Sequence, residues 1–189
     1  MKKLLSILSI IMCSLAFSQN TEFSITDEGL SKYVIAETKG HSKEELYNKT
    51  IEWINRSYKN PKEVIKSTIP NDYIRIEGYS DNVFKRQAIG GTIPTGLRYQ
   101  IEISFKDDKY KFEVIGIEMK NTLFPSYSSS PFTVLNLAKG NEYVRKKSGE
   151  FRNSYKNVGD IPLFFDRLNA QLKTYIESGV SDNKSNNDW

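Results

Sequence analysis

One cysteine and one histidine among 189 residues remove much of the familiar catalytic and structural repertoire. A lone cysteine excludes an intrachain disulfide and any cysteine-rich zinc or iron–sulfur centre within the chain. A lone histidine excludes the multi-histidine metal motifs. Other signatures are missing too. The serines stand in no Gly-x-Ser-x-Gly elbow, and Gly90-Gly91…Gly96 is not followed by the Lys-Ser/Thr of a phosphate loop. No loop has calcium-ligand spacing with its glycine and terminal glutamate. No catalytic residue, metal ligand or cofactor site is therefore assigned. The chain is not wholly disordered: 38% of it is hydrophobic and 12% aromatic, at a length suited to one domain, or one domain plus an extension.

What is present begins with the leader. Met1-Lys2-Lys3 is a short basic region, and Leu4 to Leu15 is almost uninterruptedly apolar. Ala16-Phe17-Ser18 then offers small residues at positions −3 and −1 of a cut before Gln19. This is the layout of a cleavable secretory signal peptide, and the run is too short for a transmembrane span. Cys13 follows the apolar run, but Ile10 and Met12 do not supply the small residues of a lipidation site. The expectation is a periplasmic or secreted product, cut between Ser18 and Gln19, with no later apolar stretch long enough to anchor it. Losing the leader's two lysines lowers the formal charge from +4 to +2, and Cys13 goes with it.

Residues 32–37 read as a first strand. Ser42-Lys-Glu-Glu45 is a capping box, and Tyr47, Ile51, Ile54 and Tyr58 recur at helical spacing behind it, up to Asn60-Pro61. Strand patterns follow at 63–68 and 72–79, with a fainter one at 83–89, and Gly90 to Gly96 reads as a loop. Leu97, Tyr99, Ile101, Ile103 and Phe105 then alternate with Arg98, Gln100, Glu102 and Ser104, the pattern of a sheet with one solvated face. Asp107-Asp108 turns the chain into Lys109–Met119 as a hairpin. Residues 124–131 are turn-rich, and 132–137 have the pattern of a short strand. A second helix starts near Pro162 behind Asp160, with Phe164, Phe165, Leu168, Leu172 and Ile176 on its apolar side.

The helix at 42–58, the Lys66-Ser67-Thr68 strand and the hairpin from Tyr99 to Phe112 resemble exported Bacteroidetes proteins known as domain of unknown function 4468. That family is described as having a TATA-binding-protein-like (TBP-like) fold, and the resemblance covers roughly residues 32–119. It implies an α+β domain: an antiparallel sheet of about five strands with two helices on one face, order β-α-β(4–5)-α. The organisation expected is a signal peptide at 1–18, a lead-in at 19–31 and a core at 32–119. A C-terminal extension at 120–178 and a tail at 179–189 complete the chain. The fold name gives no reason to expect specific nucleic-acid recognition.

Three features are candidates for function. His41, Glu44 and Glu45 adjoin a helix start, where the acids are explained by the helix dipole. Asp107 and Asp108 are adjacent acids on a turn. Residues 139–156 are the sharpest feature. Lys139, Arg145, Lys146, Lys147, Arg152 and Lys156 stand against Glu142 and Glu150, with Tyr143, Phe151 and Tyr155 between them. Such a mixture suits an envelope polyanion, held by charge and stacking; the bland alternative is a solvated lysine-rich loop whose aromatics pack back onto the domain. The polar sheet face with Arg98, Gln100, Glu102, Lys111 and Glu113 is available to an unknown protein partner. A non-enzymatic binding or interaction module is the leading expectation. A hydrolase with an unannounced site and a structural subunit of an envelope assembly are the alternatives.

Overall fold

Helix α1 (Lys43–Ser57) is where local rules act most directly in the computed structural model, which describes residues 21–120 and 130–178. The leader, residues 121–129 (which include most of the turn-rich loop) and the tail 179–189 lie outside the described residues. The Ser42 hydroxyl accepts the Glu45 N–H at 3.2 Å. The other half of the expected capping box is not made: Glu45 Oε1 lies 2.8 Å from His41 Nδ1 and 3.4 Å from Lys49 Nζ instead. Leu46, Thr50, Trp53 and Ile54 form the buried stripe, and the Thr50 hydroxyl donates to the Leu46 carbonyl. Asn60-Pro61 ends the helix and opens the one-turn helix α2 (Pro61–Val64).

A small hairpin of β1 (Ile25–Thr26) and β2 (Gly29–Leu30) precedes the main sheet. The sheet itself contains β3 (Tyr33–Glu37), β4 (Ile65–Ile69), β5 (Tyr73–Ala88), β6 (Gly91–Lys106), β7 (Lys109–Lys120) and β8 (Phe132–Val134). It is antiparallel in the order β3-β7-β6-β5-β4, with β8 also pairing to β7. The α+β class stands, with more strands than expected: among the described residues, six in the main sheet plus the small hairpin. Helix α3 (Asp160–Ser178) begins at Asp160 itself, two residues before Pro162, which therefore lies in its first turn.

One expectation is corrected. Residues 83–88 are strand, as the fainter pattern suggested, but the glycine-rich stretch 90–96 is not a loop: from Gly91 on it is strand, and the two are the distal arms of one long hairpin, β5–β6. Lys85 pairs with Pro94, Arg86 with Ile93 and Ala88 with Gly91, so only Ile89 and Gly90 form the turn. Gly90 has the positive φ, +86°, that this turn requires. Among the described residues Pro94 has no strand partner on the side away from β5, where its missing N–H would otherwise be needed.

Both long helices cover one face. Ile74, Ile76, Leu97, Ile101, Ile103 and Phe112 from the sheet meet Leu46, Trp53 and Ile54 from α1 and Phe165, Leu172 and Ile176 from α3. Phe23, in the lead-in, inserts its ring between Phe112 and Phe165. Tyr110 donates its buried hydroxyl to the Asn169 side-chain oxygen at 2.8 Å, so neither of these buried groups is left without a partner. Tyr99 lies flat across Gly78, where a Cβ would come within 2.4 Å of its ring, and its hydroxyl is 3.2 Å from that of Tyr58.

Candidate interaction surface

Because side chains alternate along a strand, the residues that build the core leave their neighbours on the opposite, uncovered face. Cross-strand pairing assembles these into rows. One row runs Ile35, Lys111, Ser104, Tyr73 and Ile69; the next runs Tyr33, Glu113, Glu102 and Arg75; a third joins Val134, Glu118, Arg98 and Tyr79. The charges pair within the face. Arg75 donates to Glu102 at 2.8 and 2.5 Å, Arg98 pairs with Glu118, Lys111 with Glu113, and Lys66 with Glu77 at 3.4 Å. Gln100 donates to Glu77 at 2.9 Å, and this bond holds the Glu77 carboxyl below its ordinary range.

Aromatic rings complete the face. The Arg98 guanidinium stacks 4.3 Å from the centre of Phe132, and Lys120 lies 5.4 Å from that of Tyr79. Eight large hydrophobic residues are exposed among the described residues, and five of them belong to this face or its margin: Tyr33, Ile69, Tyr79, Ile115 and Val134. Ile115 is there because of a bulge, an extra residue of β7 between the pairs Gln100↔Gly116 and Ile101↔Val114. Beside it, Gly116 floors a shallow recess of about 280 Å³, ringed by Gln100, Arg98, Glu118 and Val134. The availability of Arg98, Gln100, Glu102, Lys111 and Glu113 was legible from alternation. The bulge, and the exposed Ile115 and Val134, were not.

The acids with a possible chemical role are occupied structurally. Asp107 Oδ1 accepts the Lys43 N–H at 2.9 Å, adding a second cap to α1, and Asp108 Oδ1 accepts the Gly40 N–H at 2.7 Å. The turn of the β6–β7 hairpin is thereby latched to the loop leading into α1. Asp108 itself adopts φ +66°, which aspartate tolerates better than most side chains. His41 is mostly buried, and among the described residues Glu45 is the acid whose carboxylate lies within ion-pair distance of its ring. Among the described residues, no group of three or more His, Cys, Asp or Glu side chains is placed to hold a metal ion.

The basic segment divides into inward and outward halves. Arg145 is buried; it donates to the carbonyls of Leu137, Gly149 and Thr26 at 2.8–2.9 Å and stacks 4.1 Å from the centre of Phe151. It ties the extension to the β1–β2 hairpin and is withdrawn from any surface ligand. Tyr155 is buried as well, beneath Arg86. Lys139 pairs with Asp27 at 3.1 Å, Lys146 with Glu150 at 3.0 Å, and Arg152 Nε donates to the Glu142 carbonyl at 2.6 Å. Lys147 and Lys156 have no acidic partner among the described residues, and Tyr143 is largely exposed. The segment is chiefly a scaffold, with Lys147, Lys156 and the Tyr143 ring left at its surface.

The family model "Domain of unknown function (DUF4468) with TBP-like fold" matches residues 33–120, which bears out the resemblance carried by α1 and the β6–β7 hairpin. Two solved structures are similar to the chain. A TBP-like protein from Parabacteroides distasonis ATCC 8503 aligns at 16% identity with a TM-score of 0.51, covering 77% of this chain and 91% of that one. A DUF4468 family protein from Bacteroides ovatus ATCC 8483 aligns at 11% identity with a TM-score of 0.55, covering 86% and 94%. At these identities the likeness concerns the fold alone. It reaches past residues 33–120 into the flanking segments. No curated protein matches the chain in sequence.

Proposed function

We propose that this chain, built on a DUF4468 domain with TBP-like fold, is a non-enzymatic interaction module of the cell envelope that meets a protein partner through its open sheet face. The observation that carries this reading is the composition of that face. Tyr33, Ile69, Tyr79, Ile115 and Val134 are exposed on it among charges that neutralise one another in pairs. A surface with apolar anchors and internally paired charges suits a protein partner better than an ionic ligand, which would have to break those pairs. The leader at 1–18 supports export to the periplasm or beyond, with Gln19 as the first mature residue. The described residues contain no helix long and apolar enough to cross a membrane.

The test is affinity capture from the native envelope fraction with three forms of the protein: wild type, the double variant Ile115→Glu/Val134→Glu, and a helix-side control, Leu163→Glu. Wild type and the control should retain the same partner and the double variant should lose it; equal loss from both variants sinks the reading. Mass spectrometry of the exported protein checks the Gln19 terminus. A second reading, polyanion contact, rests on the unpaired Lys147 and Lys156 beside the exposed Tyr143. Failure of the mature protein to be retained on heparin at low salt removes it.

A further inference from the structure

Strand β5 loses its outer neighbour part-way along. β4 pairs with it from Ile69↔Tyr73 to Ile65↔Ile76 and goes no further, because the chain arrives at β4 from the turn of α2. On its other side β5 stays paired to β6 through Glu77↔Gln100, Gly78↔Tyr99, Tyr79↔Arg98 and Ser80↔Leu97. Among the described residues, no strand pairs with β5 beyond Ile76 on the β4 side.

One hydrogen bond sets the direction of the peptide groups there. The Phe105 N–H donates to the Asp72 carbonyl at 2.9 Å, so Asp72 and Phe105 stand at a hydrogen-bonding position of the ladder, although the Asp72 N–H itself turns to the Ile69 carbonyl at 3.0 Å. Such positions recur at every second residue of an antiparallel ladder. Residues 74, 76, 78 and 80 therefore turn their peptide groups towards β6, and the residues between them turn theirs away. Along β4 that outward set is taken up. At Tyr79 it is not, and the N–H and C=O of Tyr79 face a recess of about 620 Å³.

The opposite wall of this recess is the end of α1 and the turn of α2, with Ser57, Asn60 and Val64 lining it. The Ser57 hydroxyl is buried and unpartnered. Of the charged groups lining the recess, Lys66 pairs with Glu77, which Gln100 also engages, and Arg98 pairs with Glu118; Glu63 lies 3.5 Å from the Asn60 amide, and Lys59 has no acidic partner among the described residues. The slot therefore offers chiefly main-chain hydrogen bonds, with the Lys59 cation the one lining charge that has no acidic or side-chain partner among the described residues. An unpaired strand edge facing a helix end is a template for an added strand. We infer that this slot receives an extended peptide segment of a protein partner, added as a strand to the edge of β5 at Tyr79. The inference stands on the strand edge and does not depend on the open-face reading.

The probe is a linear 12-residue peptide selected from a phage-displayed library on the wild-type chain and then synthesised. Three variants separate backbone from side chain. Tyr79→Pro removes the outward N–H, at a position where the β6 ladder does not use it. Tyr79→Ala removes the ring and keeps the N–H. Asn60→Trp fills the slot from the helix side without touching the sheet. Wild type and Tyr79→Ala should bind the peptide within about threefold of each other, and Tyr79→Pro and Asn60→Trp at least about tenfold more weakly. The Tyr79 amide should become protected from hydrogen exchange when peptide is added. Ile115→Glu/Val134→Glu should bind as wild type does, which keeps this result separate from the open-face test. The inference is overturned if no peptide is enriched or if Tyr79→Pro binds like Tyr79→Ala. It is equally overturned if light scattering shows a wild-type dimer that Tyr79→Pro dissociates, since a second copy would then fill the slot. Should Tyr79→Pro fail to fold by circular dichroism, Asn60→Trp and the exchange measurement decide.

Discussion

The same strands present two surfaces with opposite logic. On the helix side, Ile74, Leu97, Ile101, Ile103 and Phe112 are fully buried, and each such side chain contributes roughly 1.5–3 kcal/mol by leaving water. On the open side, Arg75, Glu102, Arg98 and Glu118 are partly solvated ion pairs of a kind that adds little to stability. The contrast separates the demands of folding from the demands of function. The helix side is explained by the need for a core. The open side is not, because a solvated face would serve the fold equally well without exposed Tyr79, Ile115 and Val134. Composition that folding does not require is the better guide to binding.

The sharpest way to break this contrast is in the basic segment, where inward and outward cations alternate within a few residues. Arg145→Ala removes three hydrogen bonds to buried or half-buried carbonyls and the stack on Phe151. The expected loss is about 3–4 kcal/mol in denaturant unfolding. Lys147→Ala, two residues on, should change stability by under about 0.5 kcal/mol. Similar losses at the two positions would show that the segment does not divide as the hydrogen bonds indicate.

On the helix side of the sheet, Gly78→Ala places a Cβ 2.4 Å from the Tyr99 ring. That ring is held by Phe164, Phe165 and the Tyr58 hydroxyl and has little room to move. The expected cost is about 2 kcal/mol. The double variant Gly78→Ala/Tyr99→Leu should recover part of it, and a thermal melt of the set would show whether the clash is the cause. On the open side, Val134→Glu should leave the melting temperature within about 2 °C of wild type while weakening the interaction. A variant equally destabilising on both faces would mean that the open face is part of the folding core.

How much of this was readable beforehand follows from the range of each interaction. α1 was legible because its cap, its stripe and its proline stop are all local. The β6–β7 hairpin was legible because Leu97 to Phe105 alternate without error across a polar turn. The distal arm of β5–β6 was misread because Gly90, Gly91 and Gly96 look like a loop in sequence. Gly96 is in fact a strand residue whose missing side chain makes room for the Tyr79 hydroxyl, 2.6 Å from where a Cβ would lie. Arg145 was misassigned for the same reason, since its partners Thr26 and Leu137 are distant or carry no charge. The free edge at Tyr79 depends on where β4 stops, a tertiary fact with no local signal beyond Asn60-Pro61.

The smallest effect is also the cleanest discriminator of the two sides, because two carboxylates are shifted in opposite directions. Asp166, on α3, accepts the Phe23 N–H at 2.8 Å, but burial raises its carboxyl above the ordinary aspartate value, and the nearby Glu22 adds to this. Glu77, on the open face, is lowered by the Gln100 amide and by Lys66. The signs of their linkage to folding therefore differ. For Asp166 the folded state holds its proton more tightly than the unfolded chain. Its favourable contribution is complete below the ordinary aspartate range and is lost as pH rises through the folded value. For Glu77 the favourable contribution is present above the ordinary glutamate range and is lost as pH falls through its depressed folded value. Carboxyl-carbon NMR titration should place the Asp166 midpoint above 3.8 and the Glu77 midpoint below 4.5. Asp166→Asn keeps an acceptor for Phe23 without the charge. It should stabilise the protein slightly at neutral pH, with the gain vanishing near pH 3, whereas Glu77→Gln should cost a little at neutral pH and nothing in acid. The same sign for both substitutions would mean that the two carboxylates do not stand in the opposed environments that the two sides of the sheet provide.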